Sequence, residues 1–220
     1  AGKPQFQVSM SDFSSPPGDY KLPESNPLVS KAALDLRCPP PPPILRTAQW
    51  RALDSIDALV SRVEGVLLLY GAQRPQLRVS SPTSVVEYDR PQRPCDVLVL
   101  WTLPPSWTHL CWLLAVANPQ QIYVCNRTPH LPSAADLRLC LQLYLDKFPA
   151  QPLNLLQLGQ KWWIAPCTLV AALRELDYPC ADFPTTYSLD QELQRLQRWY
   201  RSSVEQLAAL NLRQSPIESG

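Results

Sequence analysis

The sequence predicts an α/β fold: a small, Rossmann-like, mostly parallel sheet with helices, followed by a helical, winged-helix-like domain. Three observations predict it. Short apolar runs, VLLLY at 66–70 and DVLVLW at 96–101, suit strands buried on both faces. Such runs alternate with segments whose apolar residues recur every three or four positions. Beyond residue 150 the strand-like runs stop and helical periodicity remains. The pattern divides the chain into a weakly ordered Pro/Ser-rich linker over 1–45, an α/β domain over 46–150 and a helix-turn-helix or winged-helix-like domain over 151–220.

In the linker, SDFSSPPGDYKLPESNP is dominated by Ser and Pro, and the proline run at 39–43 predicts polyproline II. A stiff spacer accounts for it; a ligand for an aromatic-lined peptide groove is the sharper use. Residues 32–36 (AALDL) predict an edge strand added to the following domain.

Within 46–150, Thr47 caps a helix expected to reach Ser61, with Trp50, Leu53, Ile56, Leu59, Val60 and Val63 as its apolar stripe. Gly65 ends it. Strands are predicted at 66–70, 84–88, 96–101 and 121–125. Between the last two, Ser106 caps a helix that turns Trp107, Leu110, Leu113 and Leu114 inward. Ser133 and Asp136 resemble a capping box opening a helix with Leu137, Leu141, Tyr144 and Leu145. The order is Rossmann-like, yet the glycine fingerprint is missing.

Beyond 150, a short helix at 154–160 and a second at 165–176, with Pro166 in its first turn, form a helix-turn-helix pattern. Residues 178–187 are the candidate wing, interrupted by Pro179 and Pro184. Ser188 caps one long final helix with the stripe Leu189, Leu193, Leu196, Tyr200, Val204, Leu207 and Leu210.

Composition removes many function classes. Of 220 residues 25 are Pro and only 6 are Gly, and the formal net charge is +1. No global field recruits nucleic acid or an anionic membrane. No GxxxxGKS loop, GxSxG elbow or CxxC pair occurs. The 7 cysteines are never closer than 13 residues, and several lie in apolar runs, which predicts buried free thiols in a reducing cytoplasm. Asn126-Arg127-Thr128 then reads as a chance glycosylation sequon. The first residues, AGKPQFQVSM, show no export pattern, and no apolar run approaches membrane-spanning length.

Candidate chemistry is sparse. His109 and Cys111 are two apart, so a helix points them in different directions. Asp54 and Asp57 share helical spacing but read as solvated surface. The sequence offers no catalytic, cofactor or metal residue. For binding, Arg174 lies on the second helix of the helix-turn-helix, and Arg195, Arg198 and Arg201 recur every three residues. Residues 151–220 hold six Lys/Arg against seven Asp/Glu, a balance better suited to protein docking than to duplex DNA. Trp162 and Trp163 are adjacent and cannot easily face one core, which makes them the candidate stacking platform or peptide anchor. An enzyme of Rossmann type would instead place its site near Gly71, Thr102 and Asn126, after the strands.

CDVLVLWTLPPSWTHLCWLL, ANPQQIYVCN and APCTLVAALRELDY, with ALDLR at 33–37, resemble the C-terminal region of RecJ-type single-stranded-DNA-specific exonucleases in their cyanobacterial style. The resemblance covers roughly residues 32–212 and rests on apolar pattern and turn placement. It implies an accessory part of a DNA repair and recombination nuclease. That family's DHH core hydrolyses single strands from the 5′ end with two divalent metals, Mn or Mg. No DHH occurs here, so no catalytic residue carries over. The accessory part would position single-stranded DNA or dock single-strand-binding protein or a helicase beside the nuclease core. A stand-alone winged-helix-like adaptor or regulator is the other expectation.

Overall fold

The computed structural model describes residues 31, 33–78, 84–89, 91, 93–149, 151–180, 183 and 187–214. Its strands are β1 (Leu36–Arg37), β2 (Gln49–Ala52), β3 (Gly65–Tyr70), β4 (Ser84–Tyr88), β5 (Val97–Leu100), β6 (Gln121–Val124) and β7 (Leu153–Asn154). Its helices are α1 (Ile56–Val60), α2 (Trp107–Ala117), α3 (Ala134–Lys147), α4 (Leu155–Trp162), α5 (Pro166–Glu175), α6 (Leu189–Trp199) and α7 (Val204–Gln214).

Five strands form one wholly parallel sheet in the order β2-β6-β5-β3-β4. A parallel sheet needs cover on both faces, and the apolar runs supply it by alternation. Leu68, Tyr70, Leu98, Leu100, Ile122 and Val124 point to one face, where α2, α3 and the C-terminal helices build the main core. Leu67, Leu69, Val97 and Val99 point to the other, under Leu59 and Val60 of α1. Gly65 enters β3 at φ 101°, and a Cβ there would collide with the Asp96 carboxylate, which accepts the Val66 N–H at 2.8 Å. Only glycine serves both demands.

The strands predicted at 66–70, 84–88, 96–101 and 121–125 are β3 to β6. The helix predicted from Thr47 to Ser61 is not formed as such. Residues 49–52 instead pair with β6 in register Gln49↔Gln121 to Ala52↔Val124, and the helix shrinks to α1, capped by Ser55. The unpaired edge of β6 offers hydrogen bonds that outweigh the local period. Residues 36 and 37 do form a strand, but it pairs with β7, away from the main sheet. The single final helix is two: Ser203 caps α7, accepting from Gln206 N–H at 3.3 Å while Gln206 Oε1 accepts from Ser203 N–H at 2.8 Å.

The C-terminal helices share the main core with the sheet. Tyr70, last in β3, packs its ring against Trp163, the ring centres 5.5 Å apart and the planes tilted by 55°. The Tyr200 hydroxyl donates to Trp163 O at 2.7 Å, and Trp199 Nε1 donates to Pro104 O at 2.7 Å. Asn154 caps α4 through Leu156 and Gln157, and Pro166 begins α5. Of the predicted wing, Tyr178, Pro179, Cys180, Phe183 and Tyr187 are described and lie in no strand; the rest of it falls outside the described residues. Of the predicted linker, only residue 31 and residues 33–45 are described. They are tied down by β1, by Trp112 Nε1 donating to Pro39 O at 3.2 Å, and by Lys31 Nζ donating to Leu176 O at 2.6 Å. Among the described residues no helix is long and apolar enough to cross a membrane.

Candidate functional site

In open parallel sheets ligands bind outside the carboxyl ends of the strands, where the chain reverses its direction of winding. Here the chain leaves β3 for β4 at the edge, then returns to β5 on the other side of β3, so the reversal lies between β3 and β5. Gly71 and Trp101 follow those two strands. A Cβ on Gly71 would lie 3.0 Å from Trp101 Cβ and 3.2 Å from Thr102 N, so the two loops touch at backbone distance. Trp101 N–H and Thr102 N–H both donate to Tyr70 O. Thr102 is buried. Asn126, after β6, is exposed and left-handed at φ 55°, and Arg127 lays its guanidinium 5.4 Å from the centre of the Trp101 ring. The residues expected after the strands thus stand together, with Trp101 and Arg127 added to them.

The helix-turn-helix unit has a different fate. A recognition helix needs an exposed face, but α5 buries Pro166, Thr168, Leu169, Val170, Ala171, Ala172 and Leu173. Arg174 is turned to the following segment, donating to Phe183 O at 2.8 Å and Cys180 O at 3.3 Å. Trp162 and Trp163 are half-buried. Trp162 meets Tyr144 edge-on at 5.7 Å, while Trp163 caps α4 at φ 58° against Tyr70. Their adjacency is resolved by that left-handed turn, which sends both rings into the same core.

Between α6 and α7 lies an open groove of about 690 Å³, lined by Arg195, Arg198, Trp199, Gln206, Ala209 and Leu210 among others. Arg195 covers the Tyr187 ring at 4.4 Å and pairs with Glu192 at 3.3 Å. Arg198 is exposed in the lining; Arg201, also exposed, follows α6 outside it. The groove combines cationic side chains, Arg195 and Arg198, with the apolar Trp199, Ala209 and Leu210. The cap at Ser203 creates it by turning α7 away from α6, and its signal, Ser203 followed by Gln206, is present in the sequence.

A smaller cavity of about 310 Å³ sits between α2 and α4, lined by Tyr70, His109, Trp112, Leu113 and Gln160 among others. Leu156 O can only accept, so His109 carries its proton on Nε2, at 2.9 Å from that oxygen. Nδ1 then accepts from the Ser106 hydroxyl at 2.8 Å. This Ser–His contact has the look of a nucleophile and its base. Burial, however, lowers the imidazole pKa to about 4, too weak to draw off a hydroxyl proton. Ser106 is spent as the cap of α2. Burial also pushes the Cys111 thiol up to about 11, away from thiolate chemistry.

Among the described residues no group of three or more His, Cys, Asp and Glu gathers around a possible metal position. Comparison with protein-family models, with curated proteins and with solved structures finds no match.

Proposed function

We propose that this chain is a non-catalytic accessory module of a single-strand-specific DNA exonuclease, and that it works by docking a protein partner. The reading joins the resemblance of the 33–37, 95–126 and 165–178 segments to one observation, the groove between α6 and α7. Its lining sets Arg195 and Arg198 beside Trp199, Ala209 and Leu210. Cations beside apolar side chains suit a short acidic peptide ending in an apolar or aromatic side chain. A tail of that chemistry on single-strand-binding protein or a helicase would bring the nuclease to its substrate. The divalent metals, Mn or Mg, belong in this reading to the nuclease core. The 7 cysteines are all free, which suits a reducing cytoplasm.

Binding of a labelled acidic–aromatic peptide, followed by fluorescence polarisation, tests it. Arg198→Glu should weaken binding by at least about tenfold with no loss of thermal stability. Equal affinity in that variant removes the docking reading. The adaptor alternative uses the same groove without a nuclease, and a DHH-encoding segment upstream in the reading frame separates the two.

A further inference from the structure

Five of the seven tryptophans, Trp50, Trp107, Trp162, Trp163 and Trp199, pack against the main core. Trp112 holds the carbonyl of Pro39. Trp101 is partly buried and, among the described residues, belongs to neither of the two core clusters. Its position continues the alternation of Val97 and Val99, on the face away from the helical layer. Its ring partner is the guanidinium of Arg127, which forms no ion pair among the described residues. On the neighbouring strand end Arg74 is held by Asp89 at 2.6 Å.

We propose that the carboxyl edge at β3 and β5 is a binding site for a nucleobase with its phosphate, presented by a single-stranded nucleic acid. The base stacks on Trp101, and Arg127 swings from the ring to the phosphate. Three features select this chemistry. An aromatic ring beside an exposed cation is the pairing that takes bases without reading sequence. The loop after β6 exposes Asn126, Arg127 and Thr128, so on that side an apolar side chain gains little burial while a base keeps its edges in water. The site also lies at the winding reversal of the sheet, beyond the carboxyl ends of β3 and β5. The inference rests on this edge alone. The α6–α7 groove can fail its own test without touching it.

The full chain is titrated into a labelled oligothymidylate of about twelve nucleotides at low and high salt, with thymidine monophosphate as competitor. Binding at low salt, weakened by salt, is expected. Trp101→Ala should weaken it at least about tenfold, Trp101→Phe only slightly, and Arg127→Gln by about threefold. The melting temperature of Arg127→Gln, at an exposed position, should match wild type, and Trp101→Phe keeps most of the ring's packing, so a loss of binding in the former is read on a folded chain. Competition by the monophosphate at equal concentration supports the site with a free nucleotide as its source. Weak competition supports the strand. Absence of oligonucleotide binding at low salt, or undiminished binding in Trp101→Ala, overturns the proposal. So does binding lost in Arg198→Glu but retained in Trp101→Ala, which would move the strand to the α6–α7 face.

Discussion

His109 on α2 donates its Nε2–H to the carbonyl of Leu156 in α4 at 2.9 Å, so a single neutral imidazole joins the sheet's covering helix to the helical layer. Burial is what disfavours the charged ring, against the Leu156 bond, which favours it; the Ser106 hydroxyl donates to Nδ1 only while that nitrogen is unprotonated. The unfolded chain protonates this ring near pH 6.5, the folded chain only near about pH 4. Stability is therefore present in full above the higher value and falls as pH drops between the two, by roughly 3 kcal/mol at the lower end. Urea unfolding at about pH 7.5 and about pH 4.5 should show the loss, and His109→Gln should flatten it relative to wild type. An identical pH slope in both proteins would contradict the assignment.

Gly65→Ala should destabilise the chain by about 1–3 kcal/mol, because the left-handed φ of 101° and the neighbouring Asp96 carboxylate both resist a Cβ. The midpoint of chemical denaturation reads it. A change within about 0.5 kcal/mol would mean that β3 can start in another conformation.

Tyr200 is wholly buried, and its hydroxyl donates to Trp163 O at 2.7 Å. Tyr200→Phe keeps the ring and removes the bond, which should cost about 1 kcal/mol or somewhat more if the carbonyl stays dry. Tyr200→Ala also empties the core position and should cost about 3–5 kcal/mol. The ratio of the two, measured by equilibrium unfolding, separates bond from packing.

Arg174 is held by the segment after α5. Arg174→Ala should lower stability by about 1–2 kcal/mol through the orphaned carbonyls of Cys180 and Phe183. Affinity for the peptide and for the oligonucleotide should stay within twofold or about that. A large loss of oligonucleotide affinity with no loss of stability would restore Arg174 as a contact.

Cys95 and Cys111 are buried, and burial raises their thiols to about 12 and about 11. Both should resist a disulfide-exchange reagent at neutral pH in the folded chain and react fully in urea. Mass spectrometry of partly labelled protein identifies the protected positions. Rapid native labelling of Cys95 would show that the strand end opens locally.

The strands β3 and β5 were legible because a short run without polar residues can be satisfied only between two covering layers; β4 and β6, which carry Glu87 and Gln121, were legible through their β-branched and aromatic residues. The caps at Ser106, Ser133 and Ser188 were legible because they depend on residues three positions apart. The strand β2 was hidden: its partner β6 lies about seventy residues on, and Trp50, Leu53 and Ile56 happen to fit a helical period. The break before α7 was written in Ser203 and Gln206, but Tyr200, Val204 and Leu207 carried the stripe across it. At the sites, Arg195 and Arg198 were readable from spacing, and their groove was not. Nothing local distinguishes Trp101 from Trp107. One stays outside the cores and the other packs against the larger, and only the folded chain decides that.

The short parallel pair of β1 and β7 acts as a clasp. Leu36 sits beside Leu153, and Arg37 beside Asn154, so the stretch that precedes the sheet is fastened to the stretch that leaves it. A recombinant version trimmed to begin at Arg46 would lose that fastening, the oxygen that Trp112 holds, and the apolar cover given by Leu36, Cys38 and Ile44. What looks in composition like a dispensable leash is the seam along which the two ends of the sheet domain are sewn together, and useful truncation boundaries lie upstream of it.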